Sequence, residues 1–167
     1  MGFTEEWRIR GVMEIEGRVW DALNKREPIP IAGCSWGPLD GSEPLEPAPG
    51  LRSINPYDLI VALAVPAIAG MPTPAARGAS IPTDVALDSP PLQIAGTVQL
   101  RSGEEPDALL MQPELFIPIS SPVAFLDLEP LPVPEADVVL VNRGYVKSVR
   151  AVDSRTMEAL RTRRPVP

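Results

Sequence analysis

The sequence predicts a mainly β protein. It is expected to hold two tandem repeats of a small β module with short helices, related by a pseudo-two-fold axis, and then a C-terminal helix. Three observations predict this. The 167 residues include 22 Pro and 12 Gly, two types that resist helix interiors, which argues against a helical bundle. Apolar residues alternate strictly over Trp7–Ile15 and again over Leu92–Leu100, the period of a half-buried strand. A series of anchor residues also recurs in the same order, at an offset that drifts only from 85 to 88 residues.

The first strand of each copy superposes through Gly11 and Gly96. This pairs Trp7 with Leu92, Ile9 with Ile94, Met13 with Val98 and Ile15 with Leu100. These apolar positions are assigned to the core, and Arg8, Arg10, Gln93 and Gln99 to the accessible face. A glycine at the same inward position in both copies predicts a bend, a bulge or a close backbone crossing. Asp21-Ala22-Leu23 then matches Asp107-Ala108-Leu109, each inside a helix-capable segment, 18–26 and 104–111. Pro106 suits a first helical turn, with Glu104 and Glu105 at the positive end of its dipole. Pro28–Ile31 matches Phe116–Ile119, and the shared proline predicts an edge strand or an extended entry into one.

An acidic, proline-rich excursion follows in each copy, 37–50 and 127–137. Each copy closes with an apolar strand around a shared asparagine, Ser53–Val61 and Leu140–Ser148. Asn55 and Asn142 are placed at a one-turn corner, because Asn tolerates left-handed backbone and bonds its own main chain. The organisation is therefore residues 1–65 as the first module and 66–91 as a semi-rigid Pro/Ala/Gly-rich linker. Residues 92–152 form the second module and 153–167 a helix with its tail. In that helix Asp153 or Ser154 is the cap, Met157 and Leu160 share a face, and Arg161, Arg163 and Arg164 complement the C-terminal dipole. A unit of this size buries only about 60% of its unfolded surface, so packing the two apolar faces together, or closing into one barrel, is expected.

Chemistry is constrained mainly by what the chain lacks. It has no His and one Cys, which excludes His-dependent acid–base catalysis, an intrachain disulfide and a thiolate zinc cluster. No P-loop, dinucleotide-binding glycine pattern or nucleophile elbow occurs. Cys34 has no cation closer in sequence than Arg26 and is read as a small hydrophobe in a strand. Asp40, Glu43 and Glu46, and Glu129, Glu135 and Asp137, sit in proline-rich loops without the spacing of a calcium loop, so they are read as solvated acidic loops. No cofactor is expected. The net charge of −7, with both modules negative, argues against nucleic acid as a partner. The chain opens without a basic region followed by an apolar run. Its longest apolar stretch, Leu59–Met71, is 13 residues with Pro66 and Gly70 inside, shorter than the roughly 20 a bilayer span needs. A cytoplasmic protein with no membrane span is the expectation.

Arg8-Ile9-Arg10-Gly11, Asp21-Ala22-Leu23-Asn24 and Ile54-Asn55 resemble the motifs of small uncharacterised bacterial β-rich domains: an Arg-x-x-Gly strand, an Asp-x-Leu-Asn short helix and a Val-Asn strand. In the second copy Gly96, Asp107, Leu109 and Val141-Asn142 carry the resemblance. It covers about two thirds of the chain and implies tandem copies of that domain, with no known activity attached. The corner before the last strand also resembles SH3-like and Sm-like barrels, an analogy of fold alone. The functional expectation is a non-enzymatic protein-binding or assembly module, acting on a protein partner or on itself. Trp36, flanked by Gly37 and Pro38, and the helix residues Met157, Leu160 and Arg161 are its candidate contact residues, while Trp7 and Trp20 are assigned to core filling. The alternative is a small-ligand or metal-ion-binding regulatory domain with its site between the copies.

Overall fold

The computed structural model describes residues 1–63, 80–127, 129–131 and 137–163. The first half of the chain contains β1 (Gly2–Phe3), β2 (Trp7–Met13), α1 (Val19–Asn24), β3 (Ile29–Pro38), β4 (Glu46–Pro47), β5 (Ser53–Ile54) and β6 (Val61–Leu63). The second contains β7 (Ser80–Ser89), β8 (Leu92–Arg101), β9 (Phe116–Leu126), β10 (Glu129–Pro130), β11 (Val138–Asn142), β12 (Ser148–Ala151) and α2 (Ser154–Thr162). Single-turn 3-10 segments precede β6 (Pro56–Asp58) and β12 (Arg143–Tyr145), and a longer one, Pro106–Met111, joins β8 to β9. The fold is thus mainly β with a C-terminal helix, as the alternation and the Pro/Gly content predict.

The strands form one antiparallel sheet in the order β12-β7-β8-β9-β11-β6-β1-β2-β3-β4, with β10 on β9 and β5 on β3. It is not closed into the expected barrel, because its end strands, β12 and β4, each pair with one strand only among the described residues. The middle of the sheet is the seam where β11 meets β6, Val139 facing Leu63, Leu140 facing Ala62 and Val141 facing Val61. Both strands are buried on both faces. Successive side chains point to opposite faces, so the seam serves two cores. Val61, Leu63, Val139 and Val141 join Val85, Leu87, Ile94, Val98 and Leu100 of the second half. Ala62 and Leu140 join Ile9, Leu23, Ile29, Ile31 and Ile54 of the first. The seam strands thus send alternate side chains into two different clusters, one mainly of each half.

Their ladders run in the same register. Arg10 faces Ser35 and Val12 faces Ala32, with a bulge between. Ala95 faces Val123 and Thr97 faces Ser120, again with a bulge between. Each bulge sits at the glycine singled out in the sequence. A Cβ on Gly11 would lie 3.3 Å from the Ala32 carbonyl, and one on Gly96 would lie 2.7 Å from the Ser120 carbonyl. The facing strand turns just there, at Gly33 (φ +60°) and at Ser121 (φ +48°). A left-handed conformation suits Gly33; for Ser121 it is a strained position that the bulge geometry holds in place.

Several expectations are corrected. The linker expected over 66–91 divides: 66–79 lie outside the described residues, while 80–89 form β7, which pairs along its whole length with β8. Residues 90–91 are the turn between them. The ladder of the second half therefore extends back to Ser80, twelve residues before Leu92. Its prolines fit because Pro82 stands near the outer end of the strand and Pro90 and Pro91 make the turn. Met13 and Ile15 are half-buried, whereas Ile9, Ile94, Val98 and Leu100 are buried. The reason is that β1 pairs only with the start of β2, at Ile9 and Arg8, whereas β7 covers β8 as far as Arg101. Asn55 and Asn142 are both extended, not left-handed. Each accepts a hydrogen bond from the backbone two residues on, Tyr57 N at 3.1 Å and Gly144 N at 2.9 Å, and so caps its 3-10 turn. Among the described residues no helix is long and apolar enough to cross a membrane.

Candidate interaction surface

The sequence places Trp7 two residues before Ile9 on β2, and Ile9 faces Trp36 on β3. Trp7 and Trp36 are therefore diagonal neighbours on one face of the sheet, close enough for aromatic rings to meet. They stack, with centroids 5.0 Å apart and planes 19° from parallel. Trp36 is exposed, as expected, at 41% of its surface. Trp7, assigned to the core, is 37% exposed and belongs to the same surface. Trp20 is half-buried against the first-half core, and its Nε1 donates to the Phe116 carbonyl across the seam at 3.3 Å.

The ground under this pair is fixed by local chemistry. Thr4 Oγ1 accepts from Trp7 N at 3.0 Å, which sets the entry of β2. Gly37 lets the following loop cross closely, since a Cβ there would lie 3.0 Å from the Pro44 carbonyl. Arg8 reaches over that loop and donates from Nη2 to the Glu43 carbonyl. Asp40 accepts from Ser42 N at 2.9 Å. That backbone bond, with the Ser42 hydroxyl, holds the Asp40 carboxyl below its ordinary range. Leu39 is buried and anchors the loop to the sheet. The acidic excursion of the first half is thus a folded rim beside the tryptophans, with Glu46 directly opposite Trp36 on β4.

The second half shows what this position looks like when covered. Ile94 faces Ala124 there, as Ile9 faces Trp36. Leu92 and Ala124 stand where Trp7 and Trp36 stand, and both are buried. Leu131 N donates to the Ala124 carbonyl at 2.9 Å, and its side chain is buried in the same core.

Of the three contact residues expected on α2, Met157 is buried, while Leu160 and Arg161 are half-buried. Met157 is fully buried and, with half-buried Leu160, packs on Ala95, Val123 and Phe125. Arg161 Nη2 lies 3.9 Å from Asp84 Oδ1, and Asp84 also accepts from Thr97 Oγ1 at 2.6 Å. The helix is a cover for β8 and β9, because Ala95, Val123 and Phe125 give the outer face of those strands an apolar surface that must be hidden. The signal was in the sequence: these residues break the polar alternation on that face.

An open groove of about 960 Å³ lies on the same half, lined by Glu14, Ile31, Cys34, Pro47, Ala48 and Arg52 among others. Burial pushes the Cys34 thiol up, so it stays protonated and weakly nucleophilic at neutral pH. Among the described residues no three Cys, Asp or Glu side chains converge as a metal-ligand set. Glu135 and Arg164 lie outside the described residues. Comparison with family models, curated proteins and solved structures finds no match for this chain.

Proposed function

We propose that the chain is a non-enzymatic protein-binding or assembly module built from a duplicated β domain, and that its first half carries the contact surface. The observation that supports this is the exposed Trp7–Trp36 stack. The equivalent pair of the second half is small, aliphatic and covered, so sheet geometry alone does not demand exposed aromatics at this place. Two rigid rings lose little side-chain entropy on docking, and buried Trp is among the commonest residues to dominate a protein interface. The folded rim of 37–46 supplies polar groups around an apolar centre, the usual layout of a contact patch.

The test is capture of partners by the affinity-tagged chain from its own cells, followed by direct titration of a purified partner into the wild type and Trp36→Ala. Trp36 is 41% exposed, so the variant should lose some packing against Trp7 but stay folded, which its melting curve checks. Its affinity should fall by about tenfold or more, the loss of one aromatic anchor. Unchanged affinity in a folded Trp36→Ala would remove the aromatic surface from the reading.

A further inference from the structure

The seam between the two halves is made of two strand edges, and a second example of each edge has no further strand paired to it among the described residues. One register relates β5 to β11: Ile54 faces Ile29 and Ser53 faces Pro30, as Val141 faces Ile117 and Leu140 faces Pro118. One register likewise relates β12 to β6: Ser148 faces Asp88 and Val149 faces Leu87, as Val61 faces Phe3 and Ala62 faces Gly2. In the seam β11 pairs with β6. Among the described residues the one strand paired with β5 is β3, and the one paired with β12 is β7, with the 3-10 segment Pro106–Met111 also packed against β12.

We infer that the protein assembles head to tail with further copies of itself, the β5 edge of one chain pairing with the β12 edge of the next in the register of the internal seam. That register sets Ser53 opposite Val149 and Ile54 opposite Ser148. Unpaired strand edges are templates for such addition. The inference rests on the assembly side of the proposed function and names a second copy as the partner.

Of the seam's polar contacts, the one made by Asn142 has a counterpart on the unpaired edge, whereas the one made by Asn24 with Leu115 N and Phe116 N does not. Asn142, 1% exposed, donates from its main-chain N to the Ile60 carbonyl at 2.8 Å. Its Nδ2 donates to the carbonyls of Leu59 at 2.8 Å and Pro56 at 3.2 Å, while Oδ1 caps its own turn. Asn55 caps its turn in the same way but is exposed, and its Nδ2 has no partner among the described residues. In the head-to-tail contact Asn55 N would donate to the Lys147 carbonyl of the next chain, and Nδ2 to the carbonyls of Arg143 and Val146. One pair is unfavourable. Arg52 would face Arg150, where the seam has Val139 facing Leu63. Like charges directly opposite each other are destabilising, and each chain carries a net charge of −7. Association should therefore tighten with added salt, which screens both repulsions. The contact joins two different edges, so it propagates: into a ring if the rotation closes, into a filament if it does not.

Sedimentation velocity of the full chain over a concentration series, at low and high salt, tests this. The wild type should form larger species as concentration and salt rise. Asn55→Asp keeps an oxygen to cap Tyr57 N but loses the amide donors. It should weaken association by about tenfold or more at an unchanged melting temperature. Arg52→Glu replaces the like pair with an opposite one and should tighten association several-fold. A wild type that stays monomeric at every concentration and salt overturns the inference, as does association indifferent to both variants. A monomeric wild type that still loses its partner on Trp36→Ala removes the edge inference alone. Assembly tuned by Asn55 and Arg52, with Trp36→Ala silent, removes the aromatic surface alone.

Discussion

Substituting alanine at the two related glycines probes the closest backbone crossing in the sheet. At Gly96 a new Cβ meets the Ile119 Cγ2 methyl, the Ser120 carbonyl at 2.7 Å and the Pro122 Cα at 3.4 Å. Ile119 is fully buried, and the Ser120 carbonyl belongs to the bulge that joins β8 to β9. Relief requires the two strands to separate. Overpacking of this kind costs about 1–3 kcal/mol, and for a chain of this size each kcal/mol lowers the melting temperature by about 2–4 °C. At Gly11 the new Cβ lies 3.0 Å from Cys34 Sγ and 3.3 Å from the Ala32 carbonyl. A thiol at the rim of an open groove can give by a few tenths of an ångström. Alanine also restricts the unfolded chain by about 0.4–1 kcal/mol at a compatible conformation, which offsets a mild clash. Gly96→Ala should therefore shift the urea midpoint down clearly, with an unchanged slope, while Gly11→Ala stays within about 1 kcal/mol of the wild type. If Gly96→Ala is as benign as Gly11→Ala, the β8–β9 crossing is looser than described and the steric reasoning fails.

Met157→Ala, at a fully buried position under Ala95, Val123 and Phe125, should cost about 2–5 kcal/mol by thermal or urea melting, and a loss below about 1 kcal/mol would show that the helix does not cover the sheet. Asp153 accepts from the Thr156 hydroxyl at 2.7 Å and from Thr156 N at 2.9 Å, and these bonds hold its carboxyl below the ordinary range. Because the folded form is the more acidic, the cap's contribution is present above the unfolded pKa and is lost as pH falls through the folded one. The stability difference between wild type and Asp153→Ala should thus be constant near neutrality and shrink in acid; a difference that grows in acid would contradict the assignment.

Local backbone chemistry was the legible part of the sequence. Alternation located β2 and β8, the two glycines located the bulges, and the two asparagines located the turns before β6 and β12. What was not legible depended on a neighbour far along the chain. Residues 84–88, Asp-Val-Ala-Leu-Asp, are a short apolar run between two acids, set among Pro82, Pro90 and Pro91 in a segment whose composition reads as linker. Only the pairing with β8 shows those prolines at an end and in a turn. Met157 and Leu160 read as a free amphipathic face because the surface they cover is contributed by Ala95, Val123 and Phe125, some thirty to sixty residues earlier. Trp7 read as core because it occupies an inward position in the repeat. Its counterpart Leu92 is indeed buried, and the difference lies in what is placed above it.

That last contrast bears on function. On the outer face, Ala95, Val123 and Phe125 of the second half correspond by register to Arg10, Ser35 and Gly37 of the first. The apolar set needs α2 as a cover; the first-half set does not, and no helix lies there among the described residues. On the inner face the substitution runs the other way. Leu92, Ala124 and Leu131 are buried in the second half, while Trp7, Trp36 and Glu46 are exposed in the first. One backbone ladder therefore carries two opposite surface treatments. The second half covers its own apolar surface with its own helix, and the first leaves two stacked aromatic side chains partly in water. Exposed aromatics of this size weaken solubility and add little to the fold. Under the proposed function these two rings, beside the folded rim of 37–46, are the point of contact with a partner.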